Sequence, residues 1–140
     1  MHEMIRRQRA VDACVQRFAG KPYAPGSRDC VKLAGHALHK MGRRVGLTKG
    51  VRYTSERGAL KALKALGFAD LLAAMDATGR PRIAPAAALP GDILALAADG
   101  PFGCGLAVYA GNGAALAYQD GHDGAVMLRL ETPPLAAWRA

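Results

Sequence analysis

The sequence lacks any long apolar run. None of its stretches approaches the roughly 18 to 20 uninterrupted apolar residues that a helix needs to cross a bilayer, so we expect no membrane span. Residues 1–7 include two arginines and no apolar core of the kind found in secretory signals, so no signal peptide is predicted. We therefore expect the protein to work in a cytoplasm, or in a larger particle that is assembled there.

Cysteine is also scarce. The three cysteines, Cys14, Cys30 and Cys104, are odd in number and widely spaced, with no CxxC pair. This pattern argues against a disulfide framework and against a zinc site of familiar spacing. The glycine-rich segment 100–105 has no lysine and does not lead from a strand into a helix, as a phosphate-binding loop would. We expect neither a metal nor a cofactor.

Negative charge is in short supply. There are 19 lysines and arginines against 11 acidic residues, which gives a net charge of +8. One basic cluster opens the chain, and a second comprises Lys40, Arg43, Arg44, Lys49 and Arg52. Aromatic residues do not alternate with these cations as stacking platforms for bases would, so we predict solvated helix faces. A basic nucleic-acid-binding module remains the last of our hypotheses.

The patterns that are present indicate one α+β domain over residues 1–140. The first half has helical periodicity interrupted by glycine and proline, and Asp29 and Thr54 are predicted to cap the second and third helices. The second half has four short apolar runs separated by glycine-rich turns. We predict helices packed on an antiparallel sheet of about four to five strands. The predicted helices cover 3–19, 30–41, 55–66 and 69–78, the strands cover 93–96, 106–109, 114–118 and 126–130, and a last turn covers 133–139.

Cys30 is the candidate functional residue. It follows the constrained turn 20–27 and the predicted cap Asp29, so it lies in the first turn of a helix. Backbone N–H groups there are unpaired and the helix dipole stabilises negative charge, which predicts a lowered thiol pKa and a nucleophilic thiolate. The N–H of Cys30 can also contribute to an oxyanion hole. The alternative is a buried structural cysteine.

Three motifs around this site resemble the NlpC/P60-type cysteine peptidases. Residues 20–26 with Asp29-Cys30 resemble the "G-x-P-Y-x-x-G…D-C" motif, and residues 90–94 resemble the "P-G-D-hydrophobic" opening of the first core strand. Residues 106–113 resemble the end of the "H-V-G-I-Y-x-G-x-G" strand and turn. The motifs occur in the family's order. The resemblance implies a small papain-like fold with Cys30 in the position of the nucleophile, and with Tyr23 and Asp29 lining the cleft.

The overall layout is similar to a small phage and prophage subgroup of that family. Residues 53–63 resemble its middle helix, "Y-x-[ST]-E-[RK]-G-A-L-[KR]-A-L", and residues 137–139 resemble its terminal "A-W-R". The likeness implies a product of a tail-assembly gene cluster that acts near the tail tip.

The chain departs from the family at the catalytic histidine. The alignment places Gly105, preceded by Cys104, where the family has the histidine that activates the cysteine, so the Cys–His pair is broken. His122 is the candidate substitute base and Gln119 the candidate third member. Cys104 and Gly105 are expected to line the cleft. We expect Cys30 and Cys104 to be two apolar cysteines that fill a degenerate cleft. The alternative is that they form a disulfide or share a metal ion.

Three hypotheses follow. In the first, the chain is a non-catalytic structural component of a phage or phage-like tail tip, located in the virion and bound to other tail-tip or baseplate proteins. In the second, it is a cysteine peptidase or amidase that cleaves peptidoglycan stem peptides through Cys30. In the third, it is the basic nucleic-acid-binding module described above.

Overall fold

A computed structural model describes residues 2–47 and 50–140, so Lys49 of the second basic cluster lies outside the described residues. Within those ranges, four helices pack against a six-stranded antiparallel sheet, and the predicted α+β class is confirmed. None of these four helices has the length and hydropathy that crossing a membrane requires. The helices are α1 (Glu3–Phe18), α2 (Cys30–Lys40), α3 (Glu56–Ala65) and α4 (Leu71–Asp76).

Each helix begins at a polar side chain that accepts a hydrogen bond from an otherwise unpaired backbone N–H group. His2 caps α1, Asp29 caps α2, Ser55 caps α3 and Asp70 caps α4. The predicted cap Asp29 is confirmed. The prediction of Thr54 was wrong by one residue, because the neighbouring hydroxyl of Ser55 takes that role.

The sheet contains the four predicted strands and two more. The strand order is β1-β6-β2-β3-β4-β5, and every pairing is antiparallel. The prediction of a turn over 133–139 was wrong, because β6 lies there and pairs with both β1 and β2. The strands are β1 (Arg82–Ile83), β2 (Ile93–Leu96), β3 (Gly105–Gly111), β4 (Ala114–Tyr118), β5 (Ala125–Arg129) and β6 (Ala136–Trp138).

The main core lies between the helices and one face of the sheet. Helices α1 and α2 contact each other, and both contact β3. Phe18, Leu33, Leu38 and Trp138 are among the fully buried side chains of this core. The opposite face carries a smaller buried cluster of mostly alanine side chains. This packing brings the start of α2, with Cys30, next to the start of β3.

Asp92, in the turn before β2, is a buried junction between the two ends of the chain. Its carboxylate is fully buried and accepts hydrogen bonds from Arg7 Nη1 (2.8 Å) and Arg139 Nη1 (2.7 Å). It also accepts bonds from the backbone N–H groups of Leu89 (2.8 Å) and Ala140 (2.9 Å). Asp92 therefore holds the backbone and pairs with two arginines, and it does not line the cavity at Cys30.

Strand β5 is one edge of the sheet, and the turn after α1 covers its beginning. Ala19 forms a parallel bridge with Ala125, and the Gly20 N–H donates to the Ala125 carbonyl oxygen (3.0 Å). The contact is so close that a Cβ at Gly124 would collide with the backbone of Lys21. The segment that leads to Cys30 is thus attached to the sheet edge.

Candidate functional site

A cavity of about 630 Å³ opens where α2 begins. Its walls come from the turn before Cys30, from α3, and from strands β2 to β5 and their connections. Its lining includes Leu106 from the helix-side core and Leu128 from the opposite sheet face, so the cavity extends around the sheet. All the site residues predicted from the sequence lie along it, namely Tyr23, Asp29, Cys30, Cys104, Gly105, Gln119 and His122.

Asp29 holds the chain in place before Cys30. Its carboxylate is buried, and Oδ1 accepts the N–H of Lys32 (2.8 Å), which starts α2. Oδ2 accepts the N–H of Gly26 (2.8 Å) and the hydroxyl of Tyr53 (2.7 Å). Gly26 has a positive φ of 91°, and a Cβ there would collide with the Tyr53 carbonyl oxygen. Glycine is therefore required at position 26 for the turn to approach the backbone of Tyr53 so closely.

The Cys30 thiol is held in its protonated form. Burial is the largest influence and the neighbouring carboxylate of Asp29 adds to it, raising the thiol pKa to about 11. The backbone N–H groups of Leu106, Cys30 and Val31 hydrogen-bond the sulfur and oppose this rise without cancelling it. The expectation of a lowered pKa was therefore wrong, because burial outweighs the N–H groups at the helix start.

Gly105 and Cys104 lie beside Cys30, as the alignment predicted. Gly105 is the first residue of β3, and the next N–H group, that of Leu106, bonds the Cys30 sulfur. Burial, with smaller contributions from the neighbouring Cys30 and Asp70, raises the pKa of the Cys104 thiol to about 12. Cys30 and Cys104 are both free, so the disulfide alternative is not observed. Among the described residues, no cluster of three or more His, Cys, Asp and Glu side chains could hold a metal ion.

His122 and Gln119 reach the same cavity but do not form a catalytic group with the thiol. Both residues are exposed, and the His122 backbone N–H donates to the Gln119 carbonyl oxygen (3.3 Å). Within the described ranges, no imidazole hydrogen-bonds the Cys30 sulfur. His36 and His39 line a separate cavity along α2, so neither serves Cys30.

Three tyrosines form an aromatic wall next to Cys30. The rings of Tyr23 and Tyr118 meet edge to face, with centroids 5.3 Å apart, and the Tyr23 hydroxyl donates to Glu56 Oε1 (3.1 Å). The Tyr118 hydroxyl is buried and has no hydrogen-bond partner among the described residues. Tyr53 completes the wall through its bond to Asp29. Sequence analysis named Tyr23 only, since a tyrosine in an apolar context is typical of a core as well.

The cavity is acidic although the chain is basic. Of the lining residues that the structure describes, five carry carboxylates and Arg129 alone is a lysine or arginine. Sequence analysis missed this concentration because the net charge of +8 says nothing about where the 11 acidic residues gather. The five carboxylates are those of Asp29, Glu56, Asp99, Asp120 and Glu131.

Comparison with known proteins gives a family and no activity. The family model DUF6950, described as a domain of unknown function, matches residues 4–140. No curated protein matches the chain.

Proposed function

Because the chain belongs to the DUF6950 family of domains of unknown function, we propose a function from the site at Cys30. The protein is a non-catalytic, NlpC/P60-like structural component of a phage or phage-like tail tip. The cleft of its peptidase-like ancestor persists as a cavity that binds and does not cleave. Its partners are other tail-tip or baseplate proteins, and its location is the virion tail.

The observation that carries the loss of catalysis is the state of the Cys30 thiol. Burial raises the thiol pKa to about 11, so the thiol is protonated at pH 7, whereas a catalytic cysteine depends on its thiolate. Asp29 raises this pKa, and three hydrogen bonds fix its carboxylate beside the thiol. An activated cysteine has a cationic neighbour instead.

The tail-tip assignment is supported by the resemblance of residues 29–30, 53–63 and 137–139 to the phage subgroup. The arrangement of the same segments is consistent with it. Tyr53, at the start of the second segment, bonds Asp29 in the first, and Trp138 in the third is fully buried in β6. These segments therefore support the cavity and the core, which explains their retention without catalysis.

Reactivity of Cys30 tests the catalytic part of the proposal. We expect iodoacetamide to modify Cys30 slowly at pH 7, and the rate to rise through pH 9 and 10 without reaching a plateau. Modification is followed by mass spectrometry of the Cys30 peptide, with Cys30→Ser as the blank. A plateau below pH 8, together with release of stem-peptide fragments from purified peptidoglycan, contradicts a non-catalytic domain.

Location tests the structural part. We expect antibodies against the chain to detect it in phage particles purified on a density gradient from the source strain. Deletion of the gene should give incomplete tails in electron micrographs, and a Cys30→Ser gene should restore them. Complete tails in the deletion strain contradict the assignment.

The second candidate is a peptidase or amidase acting on peptidoglycan stem peptides, with His122 as base. One observation favours it: Cys30 and His122 line the same cavity. It predicts that Cys30→Ser and His122→Ala each abolish hydrolysis, and that the second variant also slows alkylation of Cys30 at neutral pH. An unchanged rate of Cys30 alkylation in His122→Ala would show that His122 does not act as the base.

A further inference from the structure

The charge of the cavity is opposite to the charge of the chain. Five of the 11 acidic residues line this one cavity, while most of the 19 lysines and arginines lie elsewhere. Low-dielectric walls lined by one sign of charge focus the field and raise the local concentration of oppositely charged ligands. The cavity therefore favours a cationic ligand in a protein that otherwise attracts anions.

The five carboxylates of the cavity differ in whether they are already hydrogen-bonded within the chain or are exposed to an incoming ligand. Asp29 is buried and accepts three hydrogen bonds from its own chain, so it belongs to the scaffold. Glu56 accepts the hydroxyl of Tyr23. Asp99, Asp120 and Glu131 are exposed on different connections around the opening, where an incoming cation meets them first.

An independent observation comes from Tyr118. Tyr118 lines the cavity, and its buried hydroxyl has no hydrogen-bond partner in the part of the chain that the structure describes; an unpaired buried hydroxyl is costly. A donor group of a bound ligand would satisfy the oxygen. The neighbouring rings of Tyr23 and Tyr118 also offer aromatic faces, which attract ammonium and guanidinium groups.

The shape of the cavity favours an extended segment over a small compact cation. Its lining runs from Cys30 on the helix side to Leu128 on the opposite sheet face. A volume of about 630 Å³ lies within the range of pockets that hold a ligand of a few residues.

We propose that this cavity, the acidic cleft, receives an extended lysine- or arginine-bearing segment of a partner protein. The cationic side chains pack against the wall of tyrosines, and the exposed carboxylates of Asp99, Asp120 and Glu131 hold the flanking charges. This inference rests on the proposed function, since it supplies the chemistry of the tail-tip partner for a cleft that binds without cleaving.

A labelled hexapeptide of alternating lysine and glycine, blocked at both ends, tests the binding by fluorescence anisotropy. We expect it to bind at least about ten-fold more tightly than the same peptide with glutamate for lysine, and to weaken as salt is added. The triple variant Asp99→Asn, Asp120→Asn, Glu131→Gln should weaken binding about ten-fold. Because all three residues are exposed, their replacement should leave the unfolding midpoint unchanged.

Two further variants locate the binding. Tyr118→Phe should weaken peptide binding several-fold without lowering the unfolding midpoint, since the hydroxyl it removes bonds none of the described residues. The matched control is Asp12→Asn, which removes an exposed carboxylate on α1, away from the cleft, and should leave binding unchanged. Equal loss in the control and the triple variant overturns the assignment to this cleft.

Competition distinguishes the occupant. Free spermidine should compete poorly at the concentration at which the unlabelled peptide displaces the label. Equal competition by spermidine overturns a peptide segment in favour of a small polyamine. Failure of the peptide to bind overturns this inference while leaving a slowly alkylated Cys30, and with it the non-catalytic assignment, intact. Rapid alkylation of Cys30 together with normal peptide binding overturns the non-catalytic assignment and leaves this inference intact.

Discussion

The hydroxyl of Tyr53 donates a 2.7 Å hydrogen bond to Oδ2 of Asp29, the residue immediately before Cys30. This bond joins the segment before α3 to the cap of α2 across 24 residues of chain. It also holds the buried Asp29 carboxylate beside the Cys30 thiol, whose pKa that carboxylate raises. One contact therefore connects the stability of the turn with the low reactivity of the cysteine.

Removal of that bond should destabilise the protein. Tyr53→Phe leaves one bond to a buried carboxylate unmade, and we expect a loss of about 1 to 2 kcal/mol in the free energy of unfolding. Urea denaturation followed by circular dichroism measures it. The matched control is Tyr23→Phe, whose bond to Glu56 is exposed and should contribute less than about 0.5 kcal/mol. Equal losses in the two variants would contradict a special role for the Asp29 contact.

Placing a histidine at position 105 tests the alignment with the peptidases. A Cβ at Gly105 meets no atom within 4 Å, so the backbone admits a side chain there. We expect Gly105→His to speed the alkylation of Cys30 at pH 7 by about ten-fold or more, because a nearby imidazolium favours the thiolate. Gly105→Ala is the control. If the two variants react at the same slow rate, position 105 does not correspond to the family's histidine.

Loss of the Asp92 carboxylate should be far more damaging than loss of a surface ion pair. Asp92→Ala removes the buried carboxylate that pairs with the buried guanidinium of Arg7 and leaves it only the exposed carboxylate of Glu3, which costs about 3 to 5 kcal/mol. The exposed pair of Arg82 with Asp76 should contribute at most about 1 kcal/mol, measured through Arg82→Ala. Asp92→Asn, which keeps part of the hydrogen bonding, allows a urea measurement if the alanine variant does not fold. Similar losses in Asp92→Asn and Arg82→Ala would be inconsistent with a buried structural charge.

The free energy of unfolding should fall at alkaline pH. Burial raises the pKa of the Cys30 thiol to about 11 and that of Cys104 to about 12, from an ordinary value of 9.0. The unfolded chain therefore loses these protons first, so the stabilisation is complete below pH 9 and declines as the pH rises to 11 and beyond. Urea midpoints measured from pH 8 to pH 11 check the trend. Cys104→Ala should show a shallower decline, and an unchanged slope would exclude this thiol as a cause.

Local signals explain how much of the fold could be predicted. A capping aspartate at Asp29, and glycine pairs between apolar runs, act over a few residues and place α2, β2 and β4 closely. Strands β1 and β6 span only two and three residues, too short for an alternating pattern. Their pairing depends on contacts with distant strands, which the local sequence does not encode.

The members of the site were predicted better than its chemistry. The order of the motifs assigned Cys30 to the start of a helix and Gly105 to the opening of a core strand. In the structure Cys30, Cys104 and Gly105 line one cavity. The predicted direction of the Cys30 pKa shift was wrong because burial, in a fold that packs α2 against β3, outweighs the N–H groups of the local chain. The acidic cleft was missed because its exposed carboxylates come from three separate connections of the chain.

The attachment of residues 19–21 to β5 also bears on solubility. An exposed edge strand presents unpaired N–H and C=O groups on which another molecule can add a strand, the first step toward aggregation. Here the Gly20 N–H donates a hydrogen bond to the Ala125 carbonyl oxygen at the start of β5. Exposed Arg129 places a charge at the other end of that strand. The turn that presents Cys30 is therefore also a shield against self-association. Changes that loosen it should deplete the soluble protein during expression before any effect on the cleft can be measured.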